Sequence, residues 1–199
     1  MVDNVAITPG TGDVVAADDV SGAKFQRIKM DIGGDGVSLP VSGIANAIPV
    51  KALDDVLTLD ATTPTGALAE GDVAFATQEL AGFSTAADIA SILQWVTVTD
   101  VDDQKIGIDL WFFNAATSIG TEDSAPDIDD TEVLTCLGRV QISAGAYYDL
   151  GGCAVADSGA IGKPMKAGTG GSIWVAGIAR GAPTYAGGHL QIKFGVLRN

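Results

Sequence analysis

Apolar and polar positions alternate most regularly after residue 88. In IASILQWVTVTD (89–100), Ile92, Gln94, Val96 and Val98 share one phase, and in KIGIDLWFFN (105–114), Ile106, Ile108, Leu110 and Phe112 do. A period of two is the signature of a half-buried strand. The polar stretch Asp100–Gln104 between them predicts a hairpin. Shorter strands are predicted in RVQIS (139–143), GAYYDLG (145–151), GCAVAD (152–157) and IGKPMKA (161–167). The two strongest C-terminal strands are SIWVAGIARG (172–181) and HLQIKFGVLRN (189–199). One helical turn is expected near DIDDTEVLTCLG, with Asp130 as its cap. No longer amphipathic helix is visible. Short strands at this spacing predict an all-β fold, an antiparallel β-sandwich of jelly-roll type.

The first part of the chain reads differently. Pro9, Gly10 and Gly12 interrupt residues 1–22. AKFQRIKMDI (23–32) sets Arg27, Lys29 and Asp31 against Ile28, Met30 and Ile32, with Phe25 out of phase. GGDG (33–36) is a turn, and VSLPVSGI, AIPV, VLTL and VAFAT are short pieces broken by Pro40, Pro49 and Pro64. The expected organisation is an extended N-terminal arm over 1–80, docking on a partner, and a sandwich over 81–199. The apolar residues Val5, Ile7, Val14, Val15, Phe25, Ile28 and Met30 are the candidate partner-binding positions. They are too few to form a core of their own.

Charge narrows the partners. With 25 acidic and 11 basic residues the formal net charge is −14, which repels phosphate backbones and argues against nucleic acid. Hydrophobic residues make up 47% of the chain, enough for a core. No apolar run of about 18 residues suggests a membrane span, and the N-terminus carries no basic and apolar signal pattern. Cys136 and Cys153 are too far apart for a CxxC pair and read as two buried free thiols, with a disulfide as the alternative.

Three stretches of the chain look like tailed-phage virion proteins. VTVTDVDDQKIGIDLWFFN (96–114) with the acidic loop up to Asp130, and VAGIARGAPTYAGGHLQIKFGVLRN (175–199), resemble an uncharacterised family of such proteins. ITPGTGDVVAADDVSGAKFQRIKMDIGGDG (7–36) is similar to the first segment of other phage structural proteins, where it precedes variable domains. The resemblance implies a capsid decoration or cement protein in the virion, assembled in the host cytoplasm and bound to the major capsid protein or other virion proteins. It also implies a homo-oligomer, trimer first and dimer second. A tail, baseplate or fibre-attachment protein, or a sugar-binding module on the particle, are the alternatives.

No catalytic, cofactor or metal residue is assigned, and the chain is read as a non-enzyme. His189, the single histidine, follows Gly187 and Gly188 and is expected at a turn-proximal surface. The acids Asp100, Asp102 and Asp103, and Asp123, Asp127, Asp129 and Asp130, lack calcium-loop spacing and read as solvated loops. GGDG and GTGG (168–171) lack the GK[ST] ending of a phosphate loop and read as turns. Trp95, Trp111 and Trp174 fall inside predicted strands, where burial is the expectation. The adjacent Phe112 and Phe113 must point to opposite faces, so a second contact surface is expected, such as a neighbouring subunit.

Overall fold

A computed structural model of the chain describes Ala17–Val20, Ala23–Gln26 and residues 53–198. The chain divides into two compact units, Met1–Val50 and Lys51–Asn199. In the first, β1 (Ala17–Val20) and β2 (Ala23–Gln26) form an antiparallel hairpin that sets Asp18 opposite Phe25. Val5, Ile7, Val14, Val15, Ile28 and Met30 lie outside the described residues, as does GGDG.

The second unit is an antiparallel sandwich. Its strands are β3 (Leu53–Ala61), β4 (Thr65–Ala67), β5 (Val73–Leu80), β6 (Ala90–Asp100), β7 (Gly107–Phe113) and β8 (Cys136–Ile142). They continue with β9 (Tyr147–Asp149), β10 (Ala154–Asp157), β11 (Lys163–Lys166), β12 (Ile173–Arg180), β13 (Thr184–Ala186) and β14 (Leu190–Arg198). One sheet runs β3-β14-β6-β10-β9, with β11 also on β6, and the other runs β5-β12-β7-β8. A small ribbon pairs β4 with β13.

The pairing is nested. β7 pairs with the next strand, β8, and β6 pairs with β10 and β11 beyond it. Outside those, β5 pairs with β12 and β3 with β14. The chain is thus one long folded hairpin wrapped into two sheets, which is the jelly-roll arrangement. Alternate residues of both sheets fill the space between them. Leu93, Val96, Val98, Leu110, Phe112, Val175, Ile192 and Phe194 are all fully buried there. The Phe112 and Phe194 rings meet edge to face across the two sheets, centroids 6.1 Å apart and planes at 82°. A Cβ on Gly177 would come within 2.2 Å of the Phe75 ring, so glycine makes room for that ring in β12.

Three expectations change. The sandwich begins at residue 51, not 81, because β3 and β5 each complete a sheet and bury Leu59, Val73, Ala74 and Phe75. Pro64 and the glycines around it separate these strands without ending the domain. Next, β6 and β7 do not form a hairpin. They belong to different sheets, and residues 101–106 carry the chain from one to the other. Finally, the inward phase of β6 switches part-way. The register shift opposite Gly195 and Val196 is a β-bulge, so Ser91 and Leu93 are buried before it and Val96, Val98 and Asp100 after it.

Candidate functional site

The outer face of the four-stranded sheet is closed by the chain itself. Phe113, Val73, Ala176 and Ile178 point away from the main core and form a second buried cluster with Ile119, against which Ile128, Trp111 and Trp174 pack. The loop between β7 and β8 provides the cover. The Val73 N–H donates to Ser124 O at 2.9 Å, and the Asp123 N–H donates to Val73 O at 3.1 Å. The second contact surface implied by Phe112 and Phe113 is therefore intramolecular. A cover of this kind could not be read from alternation, because residues 115–130 have none.

On the same face lies Asp109, whose side chain is 0% exposed. Its Oδ2 accepts from Arg139 Nη1 at 2.7 Å, Arg180 Nη2 at 2.6 Å and Arg180 Nε at 2.9 Å. The arginines come from β8 and β12, the two neighbours of β7, so the charge cluster ties three strands together. Sequence reasoning missed it. Asp109 simply occupies a polar slot in an alternating strand.

A second polar group gathers where β6 ends. The buried Asp100 carboxylate accepts from the N–H of Asp102 at 3.1 Å and of Lys105 at 2.8 Å. Burial pushes its pKa above the usual carboxylate value, against the pull of those backbone donors. Burial, with Asp100 nearby, also pushes the Tyr147 and Tyr185 hydroxyls up. His189 sits at the surface after Gly187 and Gly188, as expected, with Nδ1 2.7 Å from Asp102 Oδ1. The Ala186 N–H reaches Asp102 Oδ2 at 2.8 Å. Slight burial disfavours the Asp102 charge, but the Ala186 N–H and the His189 ring outweigh it and hold the pKa below its ordinary value. The group works as a clasp. It holds the crossover turn 100–105 to the β13–β14 turn, with Gln104 Oε1 accepting from the Thr184 N–H at 2.9 Å.

The acidic loop residues act as turn acceptors. Asp129 Oδ1 takes the N–H groups of Thr131 and Glu132, both at 2.8 Å, at the start of the 3₁₀ turn Glu132–Thr135. The N-cap position is Thr131, and the carboxylate that accepts N–H groups at this end is Asp129 rather than the expected Asp130. Among the described residues no group of three or more His, Cys, Asp or Glu side chains could hold a metal ion. GTGG makes a short turn leading into β12, not into a helix. Cys136 and Cys153 are free thiols, each partly buried.

Among the described residues, nothing packs over the outer face of the six-stranded sheet around Trp95. Trp95 lies here, directly over Gly195, where a Cβ would come within 2.2 Å of the indole. The β6 bulge places Gln94 and Trp95 beside each other, and both line two open depressions of about 470 and 400 Å³. Thr97 and Asp157 border the first, joined by a 2.5 Å hydrogen bond, and Asp54 and Val56 border the second. At the edge of the sheet, Tyr148 in the short strand β9 is 72% exposed and Leu150 just after it 65%. The three tryptophans thus divide: Trp111 and Trp174 pack under the β7–β8 loop, while Trp95 lines the open face. No protein-family model and no curated protein matches the chain.

Proposed function

We propose that this chain is a structural protein of a tailed-phage particle, a capsid decoration protein that binds across major capsid subunits and stabilises the head. The observation that carries this reading is the jelly-roll sandwich of residues 51–199 attached to a separate N-terminal unit. Jelly rolls recur in virion proteins as rigid modules. The similarity of residues 7–36 to a segment preceding variable domains in phage structural proteins fits the same division. The N-terminal unit is then the attachment and the sandwich is the displayed body. The Asp109 cluster and the Asp100–His189 clasp support this use, because both brace strands or turns within the sandwich.

The partner is the major capsid protein, and the chain works as a homo-oligomer, with a trimer as the first expectation. Purified particles test this by quantitative mass spectrometry and electron microscopy. The expected result is hundreds of copies on the head. A few tens of copies on the tail would make it a baseplate or fibre-attachment protein, and absence from the particle would overturn the reading.

A further inference from the structure

We propose that the Trp95 face of the six-stranded sheet is a binding site for a neutral oligosaccharide. The inference does not depend on where the chain sits on a particle. Four observations on that face converge.

The first is the flat floor. Register places Val56, Gly195 and Trp95 in one row across β3, β14 and β6. Gly195 has no side chain, so the indole lies down over the strand instead of standing away from it. A flat indole suits the apolar C–H face of a sugar ring. The second is the bulge. One extra residue in β6 turns Gln94 to the same side as Trp95, putting an amide beside the stacking surface. Bulges re-aim side chains in this way next to binding sites.

The third is the polar rim. Thr97 and Asp157 flank the indole on one side and Asp54 lies on the other. Carboxylates and amides are the acceptors and donors that sugar hydroxyls pair with. The fourth is shape. The two depressions meet at Trp95 and both are open, so a chain can pass across without an enclosed end. Four strands from β3 to β10 span about 14 Å at normal sheet spacing. That is room for a short oligosaccharide lying across the strands. Asp54 and Asp157 on the rim and the net charge of −14 outweigh the one exposed cation of this row, Lys193 opposite Thr97, and repel uronic or sialic acid chains, so the ligand is uncharged.

The test uses the full chain, titrated by calorimetry with maltohexaose, cellohexaose, hexa-N-acetylchitohexaose and mannohexaose, and with an oligogalacturonate as the acidic comparison. At least one neutral oligosaccharide is expected to bind saturably, and the acidic one is not. Trp95→Ala should weaken binding on the order of tenfold or more. Gly195→Ala provides a variant that keeps every tryptophan but pushes the Trp95 ring off the strand, and it should lose binding to a similar extent with its melting curve retained. No binding by any neutral oligosaccharide overturns the proposal, as does binding that both variants leave unchanged. Self-association that disappears in Trp95→Ala, without sugar binding, also overturns it and makes the face a contact between copies.

Discussion

Replacing Asp109 with alanine should cost about 2–4 kcal/mol of sandwich stability. The carboxylate is fully buried, and three N–H groups converge on its Oδ2. Removing it leaves Arg139 and Arg180 facing an empty slot beneath the second hydrophobic cluster. Breaking a buried ion pair costs about 3–5 kcal/mol when the remaining charge is also buried. Here the arginine side chains are 45% and 37% exposed, so water recovers part of their solvation and the expected loss is smaller. Arg180 donates two of the three bonds, and Arg139 donates one. Arg180→Ala should therefore be the more damaging arginine variant. Once Asp109 is gone, deleting Arg180 should cost little more, giving a coupling of about 1–2 kcal/mol in a double-mutant cycle. Urea unfolding read by tryptophan fluorescence measures this directly. Trp95, Trp111 and Trp174 all lie in the sandwich, so the signal follows that unit alone. An Asp109→Ala loss below about 0.5 kcal/mol, or strict additivity with Arg180→Ala, would refute the reasoning.

Two further outcomes are expected. Gly177→Ala should destabilise the sandwich by about 1–3 kcal/mol, seen as a lower melting temperature, because the new Cβ meets the buried Phe75 ring at 2.2 Å. The second concerns pH. The folded pKa of Asp100 lies above its ordinary 3.8, so the folded protein keeps a proton that the unfolded chain has released. The stability from this group is full below 3.8 and is lost as pH rises through the folded pKa. Wild-type stability minus that of Asp100→Asn should therefore fall across that window in urea titrations at closely spaced pH. Asp129 and Asp149, whose pKa values are lowered, slope the other way in both proteins and cancel in the difference; Asp102 interacts with Asp100 and does not cancel, but its lowered pKa confines its slope to pH below 3.8, outside the Asp100 window. A difference that stays flat would show that burial does not shift Asp100.

Much of the sandwich was legible because its strands obey a period of two. The predicted pieces at 145–151, 152–157, 161–167, 172–181 and 189–199 each contain an observed strand, and 139–143 covers the second half of β8. Pairing was less legible. Sequence neighbours such as β6 and β7 invite a hairpin, whereas a nested wrap sends them to different sheets. The bulge at Gln94 and Trp95 was hidden for a related reason. It lies opposite Gly195 and Val196 on β14, a partner that local pattern cannot name. β3 and β5 were assigned to the arm because prolines and glycines surround them, yet those residues mark turns between sandwich strands. The Asp109 cluster joins residues from three strands, and only pairing brings them together. Trp95 carried no signal separating it from Trp111 and Trp174, since all three sit in apolar strands. Exposure depends on what covers each face.

The position of β14 has a consequence for how the protein is made. This strand is the last of the sandwich to leave the ribosome, yet it lies between β3 and β6 and delivers Leu190, Ile192, Phe194 and Val196 to the core. Until it arrives, β3 has no partner in its sheet and the core lacks those four side chains. The six-stranded sheet therefore cannot be completed before its final strand emerges, and its pairing of β3 with β14 joins the most distant strands of the sandwich.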